Sequence, residues 1–246
     1  MCKDHKNLNI IILVAGRGSR LENVTKDPKC LLKIHGRTLI DRTLDQLSNY
    51  EKQINKIIFV TGYKSEKIKT QISKHKLSSY CDFIVNPDYE LGSIISLNLT
   101  KNHINNHNII MDGDVFCESS ITSLIFNSKN ENLILIDPKS KNSGEEILVG
   151  ASTKKILSIK RGLTGEFKNF GESIGFMKLN RRSIQKLFEI IEKNISLNLK
   201  NIGYEDLLDE LVKLVDIGFV SIEGKKWIEI DFPKDYEDAK NLILNK

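Results

Sequence analysis

The stretch LVAGRGSRLENVTKDPKCLL, Leu13 to Leu32, follows the apolar run LNIIILVA of residues 8–15 with two glycines, two arginines and then the pair Pro28-Lys29. The run reads as a buried first strand. A glycine-bearing turn between such a strand and a helix exposes backbone N–H groups that can cradle phosphate oxygens, because Gly adopts φ > 0 and lets a ligand come close. Gly16 and Gly18 bracket Arg17, Ser19 and Arg20 follow, and Lys29 completes a triphosphate-sized concentration of positive charge. No Gly-Lys-Ser/Thr closes the loop, which excludes a Walker A motif, and Leu21 stands where a dinucleotide-binding G-x-G-x-x-G needs its third glycine. Taken alone, the loop reads rather as an ordinary βα turn with solvated arginines.

Outward from this loop, short β-branched runs alternate with helical patterns. Helix TLIDRTLDQLSN (38–49), with Leu39, Ile40, Thr43, Leu44 and Leu47 on one face, is followed by strand KIIFVTG (56–62) and helix SEKIKTQISKH (65–75). Strand DFIVN (82–86), helix GSIISLNLTKN (92–102), strand NIIMDGD (108–114), helix ESSITSLIFN (118–127) and strand NLILID (132–137) continue the series. The alternation predicts an α/β fold with a doubly wound, mainly parallel sheet. Beyond it the rhythm changes to short strands at 146–151, 155–160 and 172–179, helices over 181–194 and 204–214, a hairpin over 218–231 and a terminal helix over 234–245. The loose stretch DPKSKNSGEE is too short for an interdomain linker, so residues 1–246 read as one domain with a β-rich insertion at about 138–180.

Composition narrows the function classes. The net charge of +5 is spread along the chain without the clustered basic patch and interleaved aromatics of a nucleic-acid surface, but it suits anionic small molecules. Cys2, Cys30, Cys81 and Cys117 form no C-x-x-C pair, which indicates neither a zinc site nor a disulfide framework and fits a reducing, cytoplasmic setting. The first apolar run is too short for a signal peptide or a membrane span, and Asn23 and Asn98 then head chance sequons. The five histidines have no nucleophile beside them, against a Ser-His or Cys-His hydrolase.

Carboxylates supply the second half of a site. Asp112 and Asp114 close a strand as MDGD, and in a parallel sheet strand C-termini face the ligand crevice. Either could hold Mg²⁺, although Asp-Gly is also a common turn pair. WIEID places Glu229 and Asp231 at the end of a later strand. By strand-end position Ala15, Gly16, Thr61, Gly62 and Asn86 are expected along the crevice, with Ser93 and Ser96 opening the next helix. Those serines could read the edge of a pyrimidine, or Ser93 could cap its helix.

The ordered string A-G-x-G-S-R-L, P-K-x-L and GRTLI closely resembles the signature of the nucleoside-triphosphate transferases that activate sugar and alcohol phosphates. The resemblance is closest to the bacterial phosphocholine and 2-aminoethylphosphonate cytidylyltransferases, and it continues through VTGY, NPDYELGSIISL, MDGDV, GESIGFMKL, GYEDLL and WIEID over nearly the whole chain. Two prolines usual in that pattern are absent, one around Asn23 and one replaced by Thr38.

The resemblance implies a Rossmann-like nucleotidyltransferase fold and transfer of CMP from CTP to a small phosphate or phosphonate, with Mg²⁺ on Asp114 and Asp231. Lys29 and Arg20 would be catalytic, with Asp114 and Asp231. Ala15, Gly16, Arg17, Gly18, Ser19, Thr61, Gly62, Asn86, Ser93, Ser96 and Asp112 would bind nucleotide. Lys160, Glu172, Tyr204 and Glu205 would face the acceptor, Trp227 and Tyr204 offering a cation–π surface. A sugar-1-phosphate nucleotidyltransferase using UTP, dTTP or GTP and a silent nucleotide-binding regulator are the competing readings. No nucleic-acid or membrane partner is expected, and a homodimer is left open.

Overall fold

In this computed structural model, which describes residues 7–139 and 144–243, Leu8–Val14 form β1 at the centre of the sheet. Residues Ile10, Ile11 and Ile12 are at most 1 % exposed, so both faces of the strand are covered, as the unbroken apolar run requires. After the loop come a two-residue hairpin, β2 (Lys33–Ile34) and β3 (Arg37–Thr38), and helix α1 (Leu39–Leu47). Thr38, in the place of the usual proline, caps α1: its hydroxyl accepts from Asp41 N at 3.1 Å.

The series continues with β4 (Ile54–Thr61), α2 (Ser65–Ile72), β5 (Cys81–Val85), α3 (Ser93–Asn98), β6 (His107–Asp112), β7 (Val115–Cys117), α4 (Ser119–Asn127) and β8 (Leu133–Asp137). The remainder is β9 (Ile147–Ala151), β10 (Ile156–Arg161), β11 (Asn169–Asn180), α5 (Arg181–Ser196), α6 (Leu208–Leu214), β12 (Gly218–Ser221), β13 (Trp227–Glu229) and α7 (Pro233–Asn241). Cys2 and the start of the N-terminal segment, residues 140–143 of the loose stretch and the end of the expected terminal helix lie outside the described residues.

Strands β6, β1, β4 and β5 lie parallel in that order, and β11 joins β6 antiparallel to make the sheet mixed. β11 is twelve residues long and changes partner: its second half pairs with β6 and its first with β9, which pairs with β10. The strands of the 138–180 segment are therefore the flank of the same sheet. Helices α1, α2 and α4 cover one face through Leu44, Ile68 and Ile121, and α3, α5 and α6 cover the other through Leu97, Leu187 and Leu211.

One expected element is corrected. Residues 218–231 are not a hairpin: β12 pairs parallel with β8, and β13 pairs antiparallel with β7, in a separate two-stranded sheet. Ile230, fully buried after β13, packs with Leu21, Leu32, Ile34, Phe116 and Ala239 in a small third core. Burial of such a side chain contributes about 2 kcal/mol. That core fixes the end of the chain against the segment following the glycine loop.

Candidate active site

Three parts of the chain meet at the C-terminal ends of β1 and β6. Gly18, at φ +67°, turns the chain out of β1 into a single 3₁₀ turn, Ser19–Leu21. Among the described residues, the N–H groups of Gly16, Arg17 and Gly18 have no hydrogen-bond acceptor. They leave donors in place for an anion, above a pocket of about 140 Å³ lined by Gly16, Gly18, Lys29 and Asp114. Gly113 lets β6 end close to β1, since a Cβ there would stand 2.2 Å from Val14 Cγ1.

Lys29 is the hub. Its Nζ lies 2.6 Å from Asp114 Oδ2 and 2.6 Å from Asp231 Oδ1. Burial alone would lower its pKa, but the two carboxylates overcome that penalty and hold the ammonium above the usual lysine range. Asp114, Glu229 and Asp231 each offer an oxygen within 4.8 Å of the others, and Asp114 Oδ1 is buried with no hydrogen-bond partner. Burial, then Asp114 and Asp231, push the Glu229 carboxyl well up. Glu229 thus joins the set read in the sequence as Asp114 and Asp231; its place beside Asp231 in WIEID was the available signal.

Arg20 reaches over this cluster, 3.7 Å from Asp231 Oδ2 and 3.5 Å from Glu145 Oε2, with its guanidinium 4.8 Å from the Phe232 ring centroid. Arg17 turns the other way, pairing with Glu22 at 2.9 Å and lying over the Tyr63 ring. Beyond Arg20 opens a cleft of about 780 Å³. Among the described residues its lining carries nine acidic side chains, Asp112, Asp137, Glu145, Glu146, Glu172, Glu205, Glu229, Asp231 and Asp235, against three cations, Arg20, Lys139 and Arg161. Trp227 lines it as well, its indole N–H donating to Asp137 Oδ2 at 2.7 Å.

Several expected contacts are placed differently. Lys160 points outward from β10, and the cleft-lining base is Arg161, which donates to Glu145 O and lies 3.6 Å from Asp206 Oδ1. A bulge after Ile156 sets this phase: Ile159 faces the core, so Lys160 faces away. Tyr204 offers no face to the cleft, being 2 % exposed in the core, and instead donates its hydroxyl to Asp112 Oδ2 at 3.1 Å. Asp112 belongs to the acidic cleft; burial, then Glu205, Asp114 and Glu229, raise its pKa well above the carboxylate range.

Thr61, Asn86 and Ser96 are buried and satisfied internally, Thr61 Oγ1 on Ser65 Oγ at 2.8 Å and Asn86 Nδ2 on Ser96 Oγ at 2.9 Å. They shape the strand ends rather than face a ligand. Ala15 accepts from Tyr63 N at 2.9 Å beside Gly62. Gly92, not Ser93, precedes α3 as its cap; Ser93 Oγ accepts from Tyr204 N at 2.9 Å and lies 3.4 Å from Glu205 Oε2. Glu205 lines the cleft, and burial, with Asp206 and Asp114 nearby, pushes its carboxyl up to about 7 against the pull of its own backbone N–H and of Arg161. Burial also pushes the free thiols of Cys30, Cys81 and Cys117 up to about 12, which makes them poor nucleophiles. Among the described residues no helix is long and apolar enough to cross a membrane.

Comparison with known proteins gives the family and the fold. Residues 10–160 match the MobA-like NTP transferase domain. The chain is 29 % identical over 243 residues to the bifunctional protein GlmU of Methanococcus maripaludis, covering 97 % of this chain but 55 % of that protein, so it spans about half the length of such relatives. It is 26 % identical over 255 residues to the CTP:phosphoglutamine cytidylyltransferase of Campylobacter jejuni, covering 94 % of this chain and 98 % of the relative. The solved CTP:phosphocholine cytidylyltransferase of Streptococcus pneumoniae superposes with a TM-score of 0.73 at 23 % identity, over 96 % of this chain and 98 % of that one, a likeness of fold.

Proposed function

The chain belongs to the MobA-like NTP transferase domain family, and from that membership and the acidic cleft we propose that it transfers CMP from CTP to a small phosphate or phosphonate bearing a positive group, releasing pyrophosphate. The observation that carries the acceptor class is the acidic lining of the cleft beside Lys29 and Arg20: among the described residues, and leaving aside Asp112 and Glu229, whose carboxyls burial pushes up, seven carboxylates stand against three cations. A neutral sugar gains nothing from such a lining, whereas an ammonium is attracted by it. Similarity to a relative named for CTP and a phosphorylated amino acid supports the nucleotide and the size of the acceptor.

In the transfer, an acceptor oxygen attacks the α-phosphorus; one P–O bond forms, the α–β phosphoanhydride bond breaks, and its electron pair leaves on pyrophosphate. The acceptor is already an anion at neutral pH, so the side chains have positioning and charge neutralisation to perform rather than proton abstraction. The open N–H groups of residues 16–18 meet phosphate oxygens, and Lys29 and Arg20 offset the charge that builds on the α-phosphate and the leaving group. Glu205 and its acidic neighbours face the positive end of the acceptor, and the cation Arg161, on the same lining, meets its phosphate or phosphonate group.

The residues also fit a divalent cation: three clustered carboxylates, one with a buried oxygen that no protein group satisfies, are hard oxygen donors. Asp114, Asp231 and Glu229 would hold Mg²⁺, which when bound supplies Lewis-acid polarisation of phosphate oxygens. The test is pyrophosphate release with each of CTP, UTP, dTTP and GTP against choline phosphate, aminoethylphosphonate, an amino-acid phosphate and a glycosyl phosphate. Release with CTP and a cationic acceptor is expected, and release only with a glycosyl phosphate would refute the reading.

A further inference from the structure

The backbone around Asp231 is held from two sides. On one, Ile230 is fully buried and its N–H donates to Asp114 O at 3.2 Å, which ties this turn to the end of β6. On the other, a single oxygen, Asp235 Oδ2, accepts from Asp231 N at 3.0 Å and from Phe232 N at 2.7 Å. Asp231 sends its carboxylate to Lys29, and Phe232 carries its ring under the guanidinium of Arg20. Consecutive residues thus aim a carboxylate and an arginine into one site, and one carboxylate fixes the main chain of both.

Resting on the transfer reading above, we propose that Asp235 is a positioning residue for nucleotidyl transfer, setting Asp231 and, through Phe232, Arg20. An aspartate at the third position of α7 is also an ordinary helix cap, and capping alone explains the bond to Phe232 N. It does not explain the bond to Asp231 N, one residue before the cap, which serves the site rather than the helix. The carboxylate is rigidly placed for this: Pro233 opens α7, and Ala239, fully buried, anchors the helix in the small core with Ile230.

Three variants separate positioning from helix stability. Asp235→Ala removes both bonds, and Asp235→Asn keeps an acceptor oxygen for them. Ala239→Gly weakens α7 without touching residues 231 and 232. Outer groups that orient ligands change metal affinity or activity by about 10–100-fold. Asp235→Ala is expected to lose that much in kcat with little change in the KM for CTP, and to weaken Mn²⁺ binding to the bare protein, followed by electron paramagnetic resonance. Asp235→Asn should recover most of both, and Ala239→Gly should lower Tm while leaving both near wild type. Equal behaviour of Asp235→Ala and Ala239→Gly, or unchanged kcat in Asp235→Ala, would overturn the proposal. If the wild type binds no Mn²⁺, the metal assignment fails and the split between kcat and KM decides Asp235. If it transfers no nucleotide, the function fails and the Mn²⁺ comparison decides.

Discussion

Lys29 Nζ stands 2.6 Å from Asp231 Oδ1, joining the loop after β1 to the turn before α7 across 202 residues of chain. Asp114 takes the other side of the same ammonium, so the site exists only when both ends of the fold are in place. If Asp114 and Asp231 share one function, each change to Asn lowers kcat by about 10²–10³-fold, the scale of losing a preorganised electrostatic group. The double variant should be little worse than either single, and thermal unfolding should show that all three remain folded.

Lys29→Ala tests charge stabilisation in the transition state. Its kcat is expected to fall far more than its KM for CTP rises, because the ammonium offsets charge that grows only as the anhydride bond breaks. A variant that changes KM alone would make Lys29 a ground-state anchor.

Glu205 gives the pH dependence. With its carboxyl pushed up to about 7 by burial, it is neutral at pH 6 and charged at pH 8. The KM for a cationic acceptor should therefore fall as pH rises through about 7, measured as the difference between wild type and Glu205→Gln so that ionisation of the acceptor cancels. The stability effect has the opposite sense. The native state holds this proton more tightly than the unfolded chain, so stability from this group is present below the ordinary glutamate value of 4.5 and is lost as pH rises through about 7. Glu205→Gln should flatten that part of the unfolding profile.

Neighbours on β10 should separate cleanly. Arg161→Ala is expected to raise the acceptor KM several-fold, since Arg161 lines the cleft and lies near Asp206, whereas Lys160→Ala should leave kcat and KM unchanged. Steady-state kinetics on the two variants reads this directly.

The parallel half of the fold was legible because its strands are continuous apolar runs and its helices have an apolar face, as with Leu39, Ile40, Leu44 and Leu47 in α1. The 218–231 segment misled because Gly224, at φ +79°, makes a local turn like that of a hairpin, while the true partners, β8 and β7, are distant in sequence and leave no local sign. Strand-end position puts Thr61 and Asn86 at the ends of β4 and β5 but could not say that their side chains turn inward to Ser65 and Ser96. Lys29, Arg20, Asp114 and Asp231 were readable from motif order, and the structure brings them together. The bulge in β10 and the bond from Asp231 N to Asp235 were not, since each depends on how one strand or turn meets another.

The proposed function is transfer of CMP to an acceptor chosen by its positive charge. Its most direct measurement is kcat/KM, by pyrophosphate release from CTP, for choline phosphate beside its uncharged carbon isostere, 3,3-dimethylbutyl phosphate. The acidic cleft predicts a preference of about tenfold or more for the charged compound, equivalent to about 1.4 kcal/mol, reduced in Glu205→Gln. Equal kcat/KM for the two acceptors in the wild type would contradict the account.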